Sequence, residues 1–135
     1  MIQRSRVPGW LAILIGVIAY LLLTQIRKIL LPDSVGASPV GQSLDISLLY
    51  LICLAPGFLA AVLNAGPWWR IGGLAGYLAE LARVLVGLAL QAAGHPDAPP
   101  IGEPIVVTLV HAIPSAIFGI AGAALARVPI SPGGR

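Results

Sequence analysis

Four long apolar segments constrain the fold of this chain more than any other feature. At 1.5 Å per residue, each segment is long enough to cross about 30 Å of hydrocarbon as an α-helix. A closed β-barrel needs alternating ten-residue segments, which the sequence lacks. We therefore expect an all-α membrane protein, a four-transmembrane-helix bundle with short loops in one domain, residues 1–135. The expected helices cover residues 9–31, 45–64, 71–93 and 104–127.

The composition agrees with a membrane protein. Charged residues make up only 10% of the 135-residue chain and hydrophobic residues 58%, whereas about a quarter of a soluble domain is charged. The absence of a basic run argues against nucleic-acid binding. Short connections leave no room for a soluble catalytic domain, and no nucleotide-binding, zinc-hydrolase or serine-triad motif is present. We therefore do not expect an enzyme.

The N-terminal segment imitates a secretory signal, because Arg4 and Arg6 precede an apolar run from Val7 to Leu23. The small-residue stretch 36–38 is followed at once by Pro39 and lies far from that apolar run. We expect the segment to remain as an uncleaved membrane helix.

The basic residues predict the orientation. An even number of spans places both termini on one side, together with the second connection. That side carries Arg4, Arg6, Arg70, Arg127 and Arg135, against Arg27 and Lys28 on the other. The positive-inside rule then puts both termini in the cytoplasm, in a bacterial inner membrane by our expectation. The expected interface anchors on the cytoplasmic side are Trp10, Trp68 and Trp69.

Small and polar residues recur at steps of three and four along the third and fourth segments, which gives each helix one distinctive face. The third carries Gly73, Gly76, Glu80, Arg83, Gly87 and Gln91, and the fourth Thr108, His111, Ser115, Gly119, Gly122 and Ala126. Such faces let membrane helices approach closely. If these helices are antiparallel neighbours, Glu80 is expected level with Gly119, and Gly76 with Gly122, within about a turn.

Glu80 and Arg83 lie three residues apart near the middle of the third segment. This spacing lets them pair on their own helix. A structural interpretation is an internal ion pair that fixes helix register. A functional one is a polar path or ion site, since intramembrane ionisable residues are functional candidates. A third is a docking face for another subunit's helix.

His111 completes the predicted intramembrane polar cluster of Glu80, Arg83, His111 and Ser115. A lone membrane histidine most often hydrogen-bonds across helices. It could also relay protons or ligate a pigment or haem. No cofactor is predicted, because the only other histidine, His95, lies in a proline-rich connection. No metal site is predicted either, and Asp45, Asp97 and Glu103 are expected to be solvated caps.

Two mid-segment prolines, Pro56 and Pro114, are expected to kink their helices. Ser43 or Asp45 is expected to cap the second helix. Fainter small and polar stripes mark the first two helices, with Gly16, Tyr20, Thr24 and Arg27 or Lys28 on the first and Cys53, Pro56 or Gly57, Ala60 and Asn64 on the second.

Taken together, the glycine faces, short loops and absent motifs favour a non-enzymatic membrane protein that acts by helix association. It would serve as an accessory subunit or a homo-oligomer, with the lipid bilayer and other membrane subunits or copies of itself as partners. The alternative is a small transporter or channel with Glu80, Arg83 and His111 along a polar path. A pigment-carrying subunit is a third possibility.

Overall fold

The computed structural model describes residues 7–31, 38–94 and 105–128. All regular structure in these ranges is α-helical. The helices are α1 (Gly9–Leu30), α2 (Pro39–Leu63), α3 (Trp68–Ala92) and α4 (Ile105–Leu125). The side chains of residues 105–109 and 111 lie outside the described part of the structure.

The helices α1, α2 and α3 are long and apolar enough to cross a membrane, by length and composition. The stretch of α4 from Ala112 to Leu125 is apolar but shorter. The expected all-helical fold is therefore confirmed for the described residues, and three of its helices are long and apolar enough to cross a membrane.

Helix α2 begins six residues earlier than expected. Ser38 caps it, since its Oγ accepts a hydrogen bond from the Gly41 backbone N–H at 3.0 Å. Pro39 occupies the first helical position, where a missing N–H has no cost. Neither Ser43 nor Asp45 is the cap, because both lie inside the helix.

The end of α3 is marked by Gly94, which has a φ of +71°. Glycine adopts this left-handed conformation without a Cβ penalty, which explains why the helix stops there. The Gly94 N–H donates to the Gln91 carbonyl at 2.9 Å.

The middle of the structure is formed by α2 and α3, each of which packs against all three other helices. The most extensive packing is between α3 and α4, as expected for helices joined by a short connection. Among the described residues, α1 and α4 do not contact each other. They lie on opposite sides of the α2–α3 pair.

One end of the molecule is tied together through Asn64, the residue after α2. Its Nδ2 donates to the Val7 carbonyl at 2.7 Å, and its Oδ1 accepts from the Gly66 N–H at 2.7 Å. Arg127 Nη2 donates to the Asn64 carbonyl at 3.0 Å. The starts of α1 and α3 therefore lie beside the ends of α2 and α4. We call this the Asn64 end.

The interior is built from small side chains. One cluster joins Ala12, Ala60, Ile71 and Ala75, and a second joins Tyr20, Ile52 and Ala79. Many larger aliphatic residues point outward, including Leu14, Ile18 and Leu22. This arrangement suits helices in lipid, where burying a large apolar side chain gives little hydrophobic gain and close backbone approach gives dispersion contacts instead.

Candidate functional site

Glu80 is buried on the inner face of α3, with only 9% of its side chain exposed. Arg83 Nε donates to both carboxylate oxygens, Oε1 at 3.1 Å and Oε2 at 3.0 Å, and its Nη2 donates to Oε1. The expected pairing within one helix is thus confirmed. The two groups neutralise each other, which lowers the cost of carrying them through an apolar helix.

A third residue, Tyr20 of α1, joins this pair. Its hydroxyl donates to Glu80 Oε2 at 3.0 Å, and the tyrosine is almost fully buried. We refer to Tyr20, Glu80 and Arg83 as the polar triad. The sequence places Tyr20 on the stripe of α1, but the link to Glu80 spans sixty residues and needs the packing of α1 on α3. Only that packing reveals the contact.

Arg83 departs from the expected inward face. Its side chain is 48% exposed, although Glu80, one turn earlier, is buried. Arg83 lies nine residues, about 13 Å, before the end of α3 at Ala92. A charged group at that distance from the helix end is deep in the apolar part of the span. The triad thus runs from the interior to the outer surface of the helices.

Glycines meet where α2, α3 and α4 cross. A Cβ added to Gly119 would collide with the Gly72 carbonyl oxygen, and one added to Gly57 would collide with the Gly119 carbonyl. A Cβ on Gly76 would meet the Ser115 carbonyl oxygen. We call Gly57, Gly72, Gly76 and Gly119 the glycine junction. Its backbones touch directly, so any side chain there must push the helices apart.

The predicted helix-packing glycines divide into two groups. Gly76, Gly119 and Gly122 make close backbone approaches, Gly122 against the Leu54 carbonyl. Gly73 faces only the Ile120 side chain, 3.3 Å from an added Cβ, and Gly87 is half-buried. Gly57 and Gly72 were not among the predicted helix-packing glycines, because their contacts depend on how α2 and α3 cross α4.

The register between α3 and α4 lies about one turn from the level-matched positions, at the edge of the expected tolerance of about a turn. Gly76 lies against Ser115 and Gly119 rather than Gly122. Ser115 is thus placed beside Gly76. His111 lies one turn earlier on α4, but its side chain is outside the described residues, so its role stays a prediction.

The two mid-helix prolines have different surroundings. Pro56 is fully buried, and its carbonyl lies 2.5 Å from where a Cβ on Gly16 would be. Pro114 is exposed on α4. Both prolines sit inside continuous helices. Pro56 and Gly16 therefore form a close contact between α1 and α2.

Arg27 and Asp45 form a second ion pair, between α1 and α2. Arg27 Nε and Nη2 each donate to a different Asp45 oxygen at 2.7 Å. The expectation of a solvated Asp45 cap is therefore replaced by a bidentate bridge to Arg27. Both side chains are partly exposed, at 22% and 32%. The pair lies toward the end of the molecule opposite the Asn64 end.

Outside these ion pairs, the described residues offer little that could bind a metal ion or a polar ligand. Among the described residues, no three His, Cys, Asp or Glu side chains converge as metal ligands. A shallow groove between α1 and α2 is lined by aliphatic side chains next to Arg27, including Leu23, Leu48 and Ile52. It has no polar lining apart from Arg27, so it shows no chemistry for a polar substrate.

No protein-family model, curated protein or solved structure matches this chain. The candidate site is therefore argued from the contacts in this structure alone, and the polar triad is its main element.

Proposed function

We propose that this chain is a four-span integral membrane protein that acts by associating with a helix of another membrane subunit or of a second copy. The observation that carries the proposal is the half-exposed Arg83 side chain, far from the ends of α3. A central arginine costs roughly 2.5 to 3.5 kcal/mol on insertion scales. Glu80 offsets part of this cost, and a partner helix that covers the guanidinium would offset more.

The glycine contacts bear on which surface associates. Gly57, Gly72, Gly76 and Gly119 face one another within one chain. They support a self-contained helix assembly rather than an exposed glycine face for partners. The Arg83 side of α3 is the remaining candidate for association.

We also propose that α4 is a fourth membrane span and that both termini lie in the cytoplasm. Helix α4 has 21 residues, about 31 Å in length, and its glycines pack against α2 and α3. This length and packing support α4 as the fourth span of a bundle. The basic residues at the Asn64 end support an orientation with both termini in the cytoplasm of a bacterial inner membrane.

Particle mass tests the proposal. The wild-type chain would be extracted from its native membrane in mild detergent and compared with the double variant Glu80→Gln/Arg83→Met. The amide introduced by Glu80→Gln can still accept from the Tyr20 hydroxyl, so the fold is expected to persist while the mass falls to a single chain. The matched control is Arg27→Met/Asp45→Leu, which removes the other ion pair and should keep the wild-type mass. A wild-type mass equal to one chain would contradict the proposal.

A second candidate function, transport through a polar path, is favoured by one observation. The polar triad links the interior of the helices to their surface through Tyr20, Glu80 and Arg83. Proteoliposomes that hold the purified chain would show a proton or ion flux that the Glu80→Gln/Arg83→Met variant lacks. Absence of wild-type flux, together with a multimeric particle, would leave association as the function.

A further inference from the structure

The two ends of the molecule differ in charge. Of the five acidic residues, Asp33, Asp97 and Glu103 fall in the first and third connections, Asp45 near the start of α2 and Glu80 within α3. Neither of the two acidic residues that the structure describes, Asp45 and Glu80, belongs to the Asn64 end. That end carries Arg70 and Arg127, which are both exposed. Positive charge there has no acidic side chain in the described residues to balance it.

The two arginines flank the same short turn between α2 and α3. Arg127 Nη2 donates to the carbonyls of Asn64 and Gly66, at 3.0 and 3.3 Å. Arg70 lies in the first turn of α3, and its guanidinium carbon is 4.8 Å from the centre of the Trp69 ring. Stacking on an indole restricts the arginine side chain but leaves its N–H groups available. Arg127 is thus held against this turn, and Arg70 against Trp69 at the start of the helix that follows it.

The three tryptophans of the chain lie at this same end. Trp10 begins α1, Trp68 and Trp69 begin α3, and all three are exposed. Indole rings prefer the headgroup level of a bilayer. The arginines between them would therefore lie at the depth of lipid phosphates.

We propose that the Asn64 end binds the phosphate groups of anionic lipids through Arg70 and Arg127. The guanidinium group favours phosphate because it presents several N–H donors in one plane. Because the described residues of this end include no acidic side chain, the end is selective for anionic over zwitterionic headgroups. The proposal requires the chain to lie in a membrane, which α1, α2 and α3 support, but it does not depend on association through Arg83.

Tryptophan fluorescence is a suitable measurement, because all the tryptophans report on this end. The chain would be reconstituted in vesicles of brominated phosphatidylglycerol or brominated phosphatidylcholine, mixed with unbrominated phosphatidylcholine. Quenching at increasing brominated fraction gives the relative binding constant of each lipid. Each cation near an anionic surface contributes about 1 kcal/mol, or about five-fold. Because two arginines contribute, we expect phosphatidylglycerol to be preferred by up to about 25-fold at low salt.

The variant Arg70→Gln should reduce this preference about five-fold, since it removes one cation and no backbone contact, and Arg70→Lys should retain most of it. Arg127→Gln provides a second, independent loss. Lys28→Gln, at the opposite end, is the matched control and should leave the preference unchanged. Equal quenching by brominated phosphatidylcholine in all variants shows that each is folded and inserted.

Equal binding constants for the two lipids would overturn the proposal, as would an unchanged preference in both Arg70→Gln and Arg127→Gln. Added inorganic phosphate at constant ionic strength separates a lipid site from a free-anion site. Loss of the preference at millimolar phosphate would contradict the lipid assignment, and its persistence would support it. The particle mass measured for the proposed function does not enter any of these outcomes.

Discussion

The two halves of the molecule hold their helices together in different ways. In the half next to the Asn64 end, Gly57, Gly72, Gly76 and Gly119 bring backbones into direct contact. From the middle of the helices to the opposite end, side chains bridge the helices instead, with Tyr20 on Glu80 and Arg27 on Asp45. At the Asn64 end itself, the Asn64 and Arg127 side chains add bridges to the glycine contacts. Backbone contacts leave no space for one added atom, whereas side-chain bridges are lost individually. The first half should therefore fail abruptly under substitution and the second gradually.

The largest effect is expected at Gly119, where three helices meet. Gly119→Leu adds a side chain against the Gly72 carbonyl and Gly76, so α4 must separate from α3. Overpacking of a side chain typically costs about 1 to 3 kcal/mol and occasionally more, and here the backbones of two other helices cannot move aside, so the cost should exceed that of every change below. Loss of the folded form in a detergent melting curve is the expected result. Gly9→Ala is the control, since its added Cβ meets only Asn64 Nδ2 at 3.7 Å. A melting curve for Gly119→Leu as stable as that of Gly9→Ala would show that the backbones are not in contact.

A smaller but still large effect is expected from Arg83→Met alone. The substitution leaves the buried Glu80 carboxylate with Tyr20 as its donor, and loss of one partner of a buried pair costs about 3 to 5 kcal/mol. The partial exposure of Arg83 should bring the value to the lower end. Glu80→Gln/Arg83→Met should recover most of the loss, because no charge is left buried. Unfolding free energies of the single and double variants check this, and equal losses would argue against a coupled pair.

An intermediate effect is expected for Tyr20→Phe, which removes the hydroxyl and keeps the ring. Interhelical hydrogen bonds in membrane proteins contribute about 0.6 to 2 kcal/mol. In the Glu80→Gln/Arg83→Met background the same change should cost less, because the acceptor is no longer charged. A double-mutant cycle on unfolding free energy measures the difference. An equal loss of unfolding free energy in the two backgrounds would show that the Tyr20 hydroxyl is not coupled to the ion pair.

The smallest effect is expected at the second ion pair. Arg27→Met/Asp45→Leu removes a bidentate bridge whose groups are partly exposed, and such pairs contribute at most about 1 kcal/mol. The loss should shrink further in 1 M salt, which screens exposed charges. Denaturation of the wild type and the variant at low and high salt measures the loss of unfolding free energy under each condition. A loss as large as that of Arg83→Met would show that the bridge is better shielded than its exposure indicates.

The sequence predicted the helical class and the Glu80–Arg83 pair because both depend on local spacing. The contacts of Gly76, Gly119 and Gly122 agree with their predicted packing role, since the small-residue stripes mark the faces that approach closely. Contacts that depend on tilt and register were missed.

Among the missed contacts is Tyr20 on Glu80, which joins residues of α1 and α3. The bridge between Arg27 and Asp45 was missed as well, because it joins two helices and Asp45 belongs to a helix that starts earlier than its apolar run. The local signal for that earlier start was Ser38, a polar N-cap residue, followed by Pro39 at the first helical position.

Cross-linking beside Arg83 tests most directly whether this side of α3 meets a partner. Val86 lies one turn from Arg83, and Leu74 lies nine residues away on the opposite side of the helix, and both are exposed. Each would be replaced by cysteine in a Cys53→Ala background. The variants would then be treated in native membranes with a membrane-permeable cross-linker, either thiol-to-amine or thiol-to-thiol. We expect a covalent adduct of higher mass from Val86→Cys and none from Leu74→Cys. Adducts from Leu74→Cys alone, or from neither position, would contradict association through Arg83.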